Sequence, residues 1–111
     1  MEPLKNDMAD KTTHTIALYP GDGIGPEVTT QAVRVLETLE TTADFRLEQT
    51  TFEWGLKHWE QYGTVVPEDF IDLLRPFDAI LLGAVGWPQK VPDHVTLAPL
   101  VQIRQTFDQY A

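Results

Sequence analysis

The stretch Tyr19-Pro20-Gly21-Asp22-Gly23-Ile24-Gly25-Pro26-Glu27-Val28 decides how the rest of this chain is read. Ahead of it, Ile16-Ala17-Leu18-Tyr19 is an uninterrupted apolar run of strand character. Behind it, Pro26 opens a helical pattern at a position where a missing N–H costs nothing. Glycines at a strand-to-helix turn allow positive φ and let another group approach the backbone closely. In open α/β sheets such turns lie where ligands bind, beyond the carboxyl ends of the strands. The dinucleotide fingerprint G-x-G-x-x-G does not describe the spacing, because Gly21, Gly23 and Gly25 read G-x-G-x-G. Asp22 and Glu27 also flank a helix N-terminus that would otherwise attract an anion. Two carboxylates there oppose a pyrophosphate. Two readings stay open: a tight turn without a ligand, or a turn that approaches something other than a bare phosphate.

Working outward, the first helix carries Val28, Ala32, Val35, Leu36 and Leu39 at offsets of 4, 7, 8 and 11, which is one helical face. Thr30, Gln31, Arg34 and Glu37 lie opposite. The first strand is expected over residues 15–19 and a second over 45–52. A short helix over residues 56–62 closes at Gly63, a good C-cap residue. Val66-Pro67-Glu68-Asp69 opens another through Leu74, closed by Pro76. Ala79-Ile80-Leu81-Leu82 shows no polar alternation, which predicts a strand buried on both faces of a parallel sheet. It runs into a second glycine turn, Gly83-Ala84-Val85-Gly86-Trp87-Pro88. A loop through His94 leads to a last helix with Leu100, Ile103, Phe107 and Tyr110 at offsets of 3, 7 and 10. The order predicts an α/β fold with a mostly parallel sheet, flanking helices and right-handed crossovers. Three strands leave two open edges, so an incomplete domain is expected.

The composition bounds the function. A chain of 111 residues with 42% apolar residues is one domain at most, with enough apolar mass for a core. The net charge of −9 argues against nucleic acid and anionic membrane as partners. There is no cysteine, which excludes disulfides, thiolate metal sites and cysteine nucleophiles. No apolar run approaches the ~20 residues of a membrane span. Residues 1–13 lack the apolar stretch of a signal peptide and are read as a disordered polar tail, with a cytoplasmic location as the default.

Three segments in order resemble one family. Pro20-Gly21-Asp22-Gly23-Ile24-Gly25-Pro26-Glu27-Val28 is similar to the N-terminal signature of the metal-dependent β-decarboxylating dehydrogenases, which include the isocitrate, isopropylmalate, tartrate and D-malate enzymes. Asp78-Ala79-Ile80-Leu81-Leu82-Gly83-Ala84-Val85-Gly86 resembles the family's second strand and turn. Arg104-Gln105-Thr106-Phe107-Asp108-Gln109-Tyr110-Ala111 resembles the helix that leads into its Asn-x-Arg-Pro segment. Gly86-Trp87-Pro88 and Val91-Pro92-Asp93-His94 look most like the tartrate and D-malate branch. The resemblance implies that residues 14–111 are the N-terminal part of a dehydrogenase domain with its own α/β fold, distinct from the common dinucleotide domain. It implies oxidation of a 2-hydroxy diacid by NAD with loss of carbon dioxide, assisted by Mg2+ or Mn2+, in a homodimer. The family's catalytic lysine and tyrosine and its metal-ligating aspartates lie downstream. The resemblance therefore places no catalytic or metal-binding residue in this segment, which alone is expected to be inactive.

Carried onto this chain, the resemblance gives Arg104 a substrate carboxylate, which suits a guanidinium that can donate two parallel hydrogen bonds. The alternative is a surface arginine paired with Asp108 at i+4. Leu100, one turn earlier, corresponds to the position facing the substrate's substituent, and equally suits an ordinary core leucine. Val85, Gly86, Trp87 and Pro88 resemble the loop along the nicotinamide end of the cofactor, with Ile24 packed nearby. Trp87 as a buried loop anchor is the competing role. Asp93-His94 is tempting as an acid–base or metal pair, but a structural role is favoured for adjacent loop residues. His14 and His58 lack partners nearby in sequence and are read as solvated, while Trp54 and Trp59 are read as packing residues. Two other functions remain: a 3-isopropylmalate dehydrogenase, or a non-catalytic acidic α/β binding module.

Overall fold

The computed structural model describes residues 12–108. Within them the order is β1 (Thr12–Gly21), α1 (Gly25–Thr42), β2 (Phe45–Thr51), α2 (Leu56–Tyr62), α3 (Phe70–Leu74), β3 (Ala79–Ala84) and α4 (Asp93–Thr106). The strands form one sheet in the order β2-β1-β3, and both pairings are parallel. The expected α/β class and parallel sheet are thus what the chain forms. Residues 1–11 of the expected tail lie outside the described residues. Thr12 and Thr13 belong to β1, which starts three residues earlier than expected. They pair with Phe45 and Arg46, and threonine's branched Cβ suits a strand whatever its polarity.

Position in the sheet decides burial. β1 is central, and Ile16, Ala17, Leu18 and Tyr19 are all buried. β3 has the more uniformly apolar sequence, yet Leu82 is 40% exposed, so the expectation of a strand buried on both faces fails there. The physical reason is that β3 is an edge strand of the described sheet, with β1 on one side only. Its start is pinned to β1 by Asp78, whose carboxylate accepts the Thr15 N–H at 2.8 Å while its own N–H donates to Thr15 O at 2.9 Å. His14 Nδ1 lies 3.8 Å from the same carboxylate, so it has a neighbour that its sequence surroundings did not reveal.

The two faces of the sheet carry different helices. Ala17 and Tyr19 point to a core of Trp54, Phe70, Leu74 and Ile103, backed by Phe52, Phe77, Ile80, Leu100 and Phe107. Trp54 is its centre. It meets Tyr19 edge-on at 5.4 Å, stacks on Phe52 at 4.5 Å and meets Phe70 edge-on at 6.1 Å. Such pairs contribute about 0.5–1.5 kcal/mol each beyond the area they bury. The packing role read for Trp54 therefore holds, while Trp59 is half-buried.

Leu18 faces α1, where it shares a cavity wall with Thr29 and Val33. The inward line of α1 is Gly25, Thr29, Ala32, Val33 and Leu36. This corrects the predicted face: Val28, Val35 and Leu39 are exposed. Gly25 and Thr29 are small, so that side of the helix can come against the end of β3, and packing distance outweighed apolar periodicity.

The last helix also begins earlier than expected. Pro92 occupies the N-cap position and Asp93 the first turn, so Asp93-His94 is helical and not part of the preceding loop. An aspartate there complements the helix dipole. Tyr110, assigned to the same apolar face, lies outside the described residues.

Candidate functional site

The strand order fixes where a ligand would meet this sheet. β1 leads through α1 to β2 on one side, and β2 leads through α2 and α3 to β3 on the other. The connections diverge between β1 and β3. That is the topological switch point, where open α/β sheets leave a crevice beyond the strand ends. Both glycine turns lie there, because β1 ends at Gly21 and β3 at Ala84, and these two residues are register partners.

The glycines divide into two groups. A Cβ on Gly21 would overlap the carbonyl oxygen of Ala84. On Gly25 it would overlap Pro20 O and stand 2.7 Å from Ala84 O. On Gly83 it would overlap Pro20 O and stand 2.5 Å from Thr29 Oγ1. These three let the two turns pack backbone against backbone, and they fill the crevice with the protein's own chain. Gly23 and Gly86 differ. Gly23 has φ +56°, and a Cβ there would stand 3.5 Å from the Trp87 ring. Gly86 has φ +130° and open space around it.

Two backbone donors of the loop are also used within the protein. The Asp22 N–H donates to Ala84 O at 2.6 Å and the Gly25 N–H to Asp22 O at 2.8 Å, while Pro26 has no N–H. With Asp22 and Glu27 adding negative charge, this turn does not fit a pyrophosphate. What it offers is an apolar and aromatic wall: Ile24 is 61% exposed and Trp87 is half-buried against Gly23. The segment after Trp87 is anchored by buried Val91, whose N–H, like that of Lys90, donates to Trp87 O at 2.9 Å.

Asp22 is the residue that sequence reasoning undervalued. It is buried, and its carboxylate accepts the N–H of Leu56 at 2.6 Å and of Gly86 at 2.9 Å. Burial pushes the adjacent Tyr19 phenol above its ordinary range, and the Asp22 charge adds in the same direction. The available signal was the charge itself, an acid inside a glycine turn that no anion would want. Thr29 was missed as well. It is buried, and its Oγ1 has no hydrogen-bond partner among the described residues. It lines a cleft of about 600 Å3 with Leu18, Asp22, Trp54 and Lys57, on the β2 side of the glycine turn.

The predicted residues fall in three places. Gly86 and Trp87 come to the first glycine turn, at Asp22 and Gly23, where exposed Ile24 follows in sequence, with Pro88 exposed beyond them. Val85 packs on the core cluster, and so does Leu100. Arg104 lies on the exposed side of α4 and lines a depression of about 340 Å3 with Val101, Gln105 and Asp108. It makes no ion pair among the described residues, Asp108 included. His58 is not a free solvated imidazole, since its Nδ1 bonds the Thr64 carbonyl oxygen. Among the described residues no group of three or more His, Asp or Glu side chains could hold a metal ion.

The model of the isocitrate/isopropylmalate dehydrogenase family matches residues 15–111. The chain belongs to that family. A probable tartrate dehydrogenase/decarboxylase of Agrobacterium vitis is 49% identical over 100 residues, 88% of this chain and 28% of the relative. The D-malate dehydrogenase [decarboxylating] of Escherichia coli is 43% identical over 100 residues, with the same coverage of 88% and 28%. The apo crystal structure of a β-decarboxylating dehydrogenase from Thermococcus kodakarensis superposes with a TM-score of 0.64 at 32% identity, covering 83% of this chain and 26% of that one. The chain thus spans little more than a quarter of the length of these family members.

Proposed function

We propose that this chain is the N-terminal part of an NAD-dependent dehydrogenase that oxidises and decarboxylates a 2-hydroxy diacid of the tartrate or D-malate type. The observation that carries the reading is the meeting of two glycine turns at the switch point between β1 and β3, in a chain of this family. Ile24, Gly86, Trp87 and Pro88 form the wall against which the nicotinamide end of NAD rests, with Val85 anchoring it to the core. An apolar, aromatic surface suits a flat ring as it does not suit a phosphate. Arg104 binds a carboxylate of the hydroxy acid from α4, and Leu100, one turn before it, lies beside the substrate's substituent. The charge match is direct, because the guanidinium is exposed and unpaired among the described residues.

On the family resemblance, Mg2+ or Mn2+ takes its ligands outside this segment. The catalytic lysine and tyrosine of the family reaction lie outside it too, so these 111 residues alone are inactive. The complete protein is a cytoplasmic homodimer on this reading. Among the described residues no helix is long and apolar enough to cross a membrane.

The test is turnover. The complete protein, given NAD, a divalent cation and either D-malate or tartrate, produces NADH absorbance and carbon dioxide in equal amounts. Turnover with isopropylmalate alone would move the substrate to that branch. Silence with all three acids would end the catalytic reading.

A further inference from the structure

Asp22 has two carboxylate oxygens, and the fold uses both. Oδ1 accepts the Leu56 N–H at 2.6 Å, at the start of α2, and Oδ2 accepts the Gly86 N–H at 2.9 Å, in the second glycine turn. The Asp22 N–H reaches Ala84 O at 2.6 Å. One residue of 8% exposure therefore ties three separate segments together, and no cation pairs with it among the described residues. The surroundings are shaped for the carboxylate: a Cβ on Gly55, which has φ +105°, would overlap Oδ1. Gly86 has nothing within 4 Å of the place where its side chain would be, so side-chain packing does not hold that residue. The hydrogen bond that its N–H donates to Asp22 does.

We infer that Asp22 is a positioning residue of the cofactor wall: it fixes Gly86, and through it Trp87 and Pro88, at a set height beside Gly23 and Ile24. The inference rests on the reading above in which these residues face the nicotinamide. It also explains why an acid occupies a turn at a helix N-terminus. Both acceptor sites face N–H donors, so an asparagine, with one carbonyl oxygen, sets its NH2 against an N–H whichever way the amide is turned.

The experiment uses the complete protein and two readouts. Hydrogen exchange of the unmodified protein comes first and needs no variant. The Gly86 amide exchanges slowly, like that of Leu56; a Gly86 amide exchanging at the rate of an open turn overturns the inference. In Asp22→Ala, loss of both charge-assisted hydrogen bonds speeds Gly86 exchange at least about tenfold and raises KM for NAD about tenfold. KM for the hydroxy acid stays within about twofold, a split that a general loss of folding would not give. Trp87→Ala separates the two ideas. If it raises KM for NAD while Asp22→Ala does not, the positioning role is wrong and the cofactor reading stands. If Trp87→Ala leaves KM for NAD unchanged, the cofactor reading falls and this inference with it.

Discussion

Replacing Gly25 by alanine tests what the first glycine turn is for. Gly25 opens α1 and does not have positive φ, so the backbone itself accepts a side chain. On helix propensity alone, alanine there would stabilise the protein by roughly 0.5–1 kcal/mol. The surroundings reverse the sign. The new Cβ would overlap Pro20 O and stand 2.7 Å from Ala84 O, and both obstacles are backbone atoms. Overpacking of this kind costs about 1–3 kcal/mol. Relief requires the loop to lift off β3, which stretches the 2.6 Å bond from Asp22 N–H to Ala84 O and costs about another 1 kcal/mol. Set against the propensity gain, the net expectation is a loss of about 1–3.5 kcal/mol. Urea unfolding followed by tryptophan fluorescence reads it as a lower midpoint, since Trp54 sits in the core. Gly63→Ala is the comparison: φ is +79° with open space around it, so only the left-handed backbone penalty of about 1–2 kcal/mol applies. A Gly25→Ala protein as stable as its parent, or more so, would show that the turns do not pack on each other as described.

Two further outcomes follow from side chains. Thr29→Val removes a buried hydroxyl without a partner among the described residues and keeps the shape, so stability should stay level or rise by about 1 kcal/mol; a clear loss in the same unfolding assay would mean that the hydroxyl is bonded. Arg104→Ala in the complete protein should raise KM for the hydroxy acid at least about tenfold, consistent with removal of a charge-assisted hydrogen bond, with little change for NAD; equal effects on both would assign Arg104 to structure.

The parts of the fold that depend on neighbours in sequence were legible. Gly63 caps α2 in the left-handed conformation, as its place after a short helical run predicts. Ile16 to Tyr19 gave the central strand, and the run from Ala79 gave β3. What was not legible depends on distant partners. Thr12 and Thr13 look like tail until Phe45 and Arg46 pair with them. Periodicity marks Val28, Val35 and Leu39 as an apolar face, but it cannot register that Gly25 and Thr29 permit the closest approach to β3. Leu82 has the sequence of a doubly covered residue and the position of an edge. Of the site, the pairing of the two glycine turns was readable as a motif, and Arg104 as a charge on a helix. That Arg104 lines a depression apart from the turns depends on side-chain placement that spacing does not encode.

The glycine run shows why a motif and its physics come apart. A pattern search treats Gly21, Gly23, Gly25 and Gly83 as alike. In the structure, Gly21, Gly25 and Gly83 meet protein backbone, so their missing side chains make room for the chain itself. Gly23 meets only the edge of Trp87, and Gly86 meets nothing. The first group explains the spacing without any ligand. The second is where free space lies beside an aromatic ring, and Asp22 holds the two groups in one piece. A ligand at this switch point therefore has to be recognised by its flat face more than by negative charge, because Asp22 and Glu27 oppose an anion there. That requirement favours the nicotinamide end of a cofactor over its phosphates. Arg104 lies elsewhere, on α4, in a depression of its own.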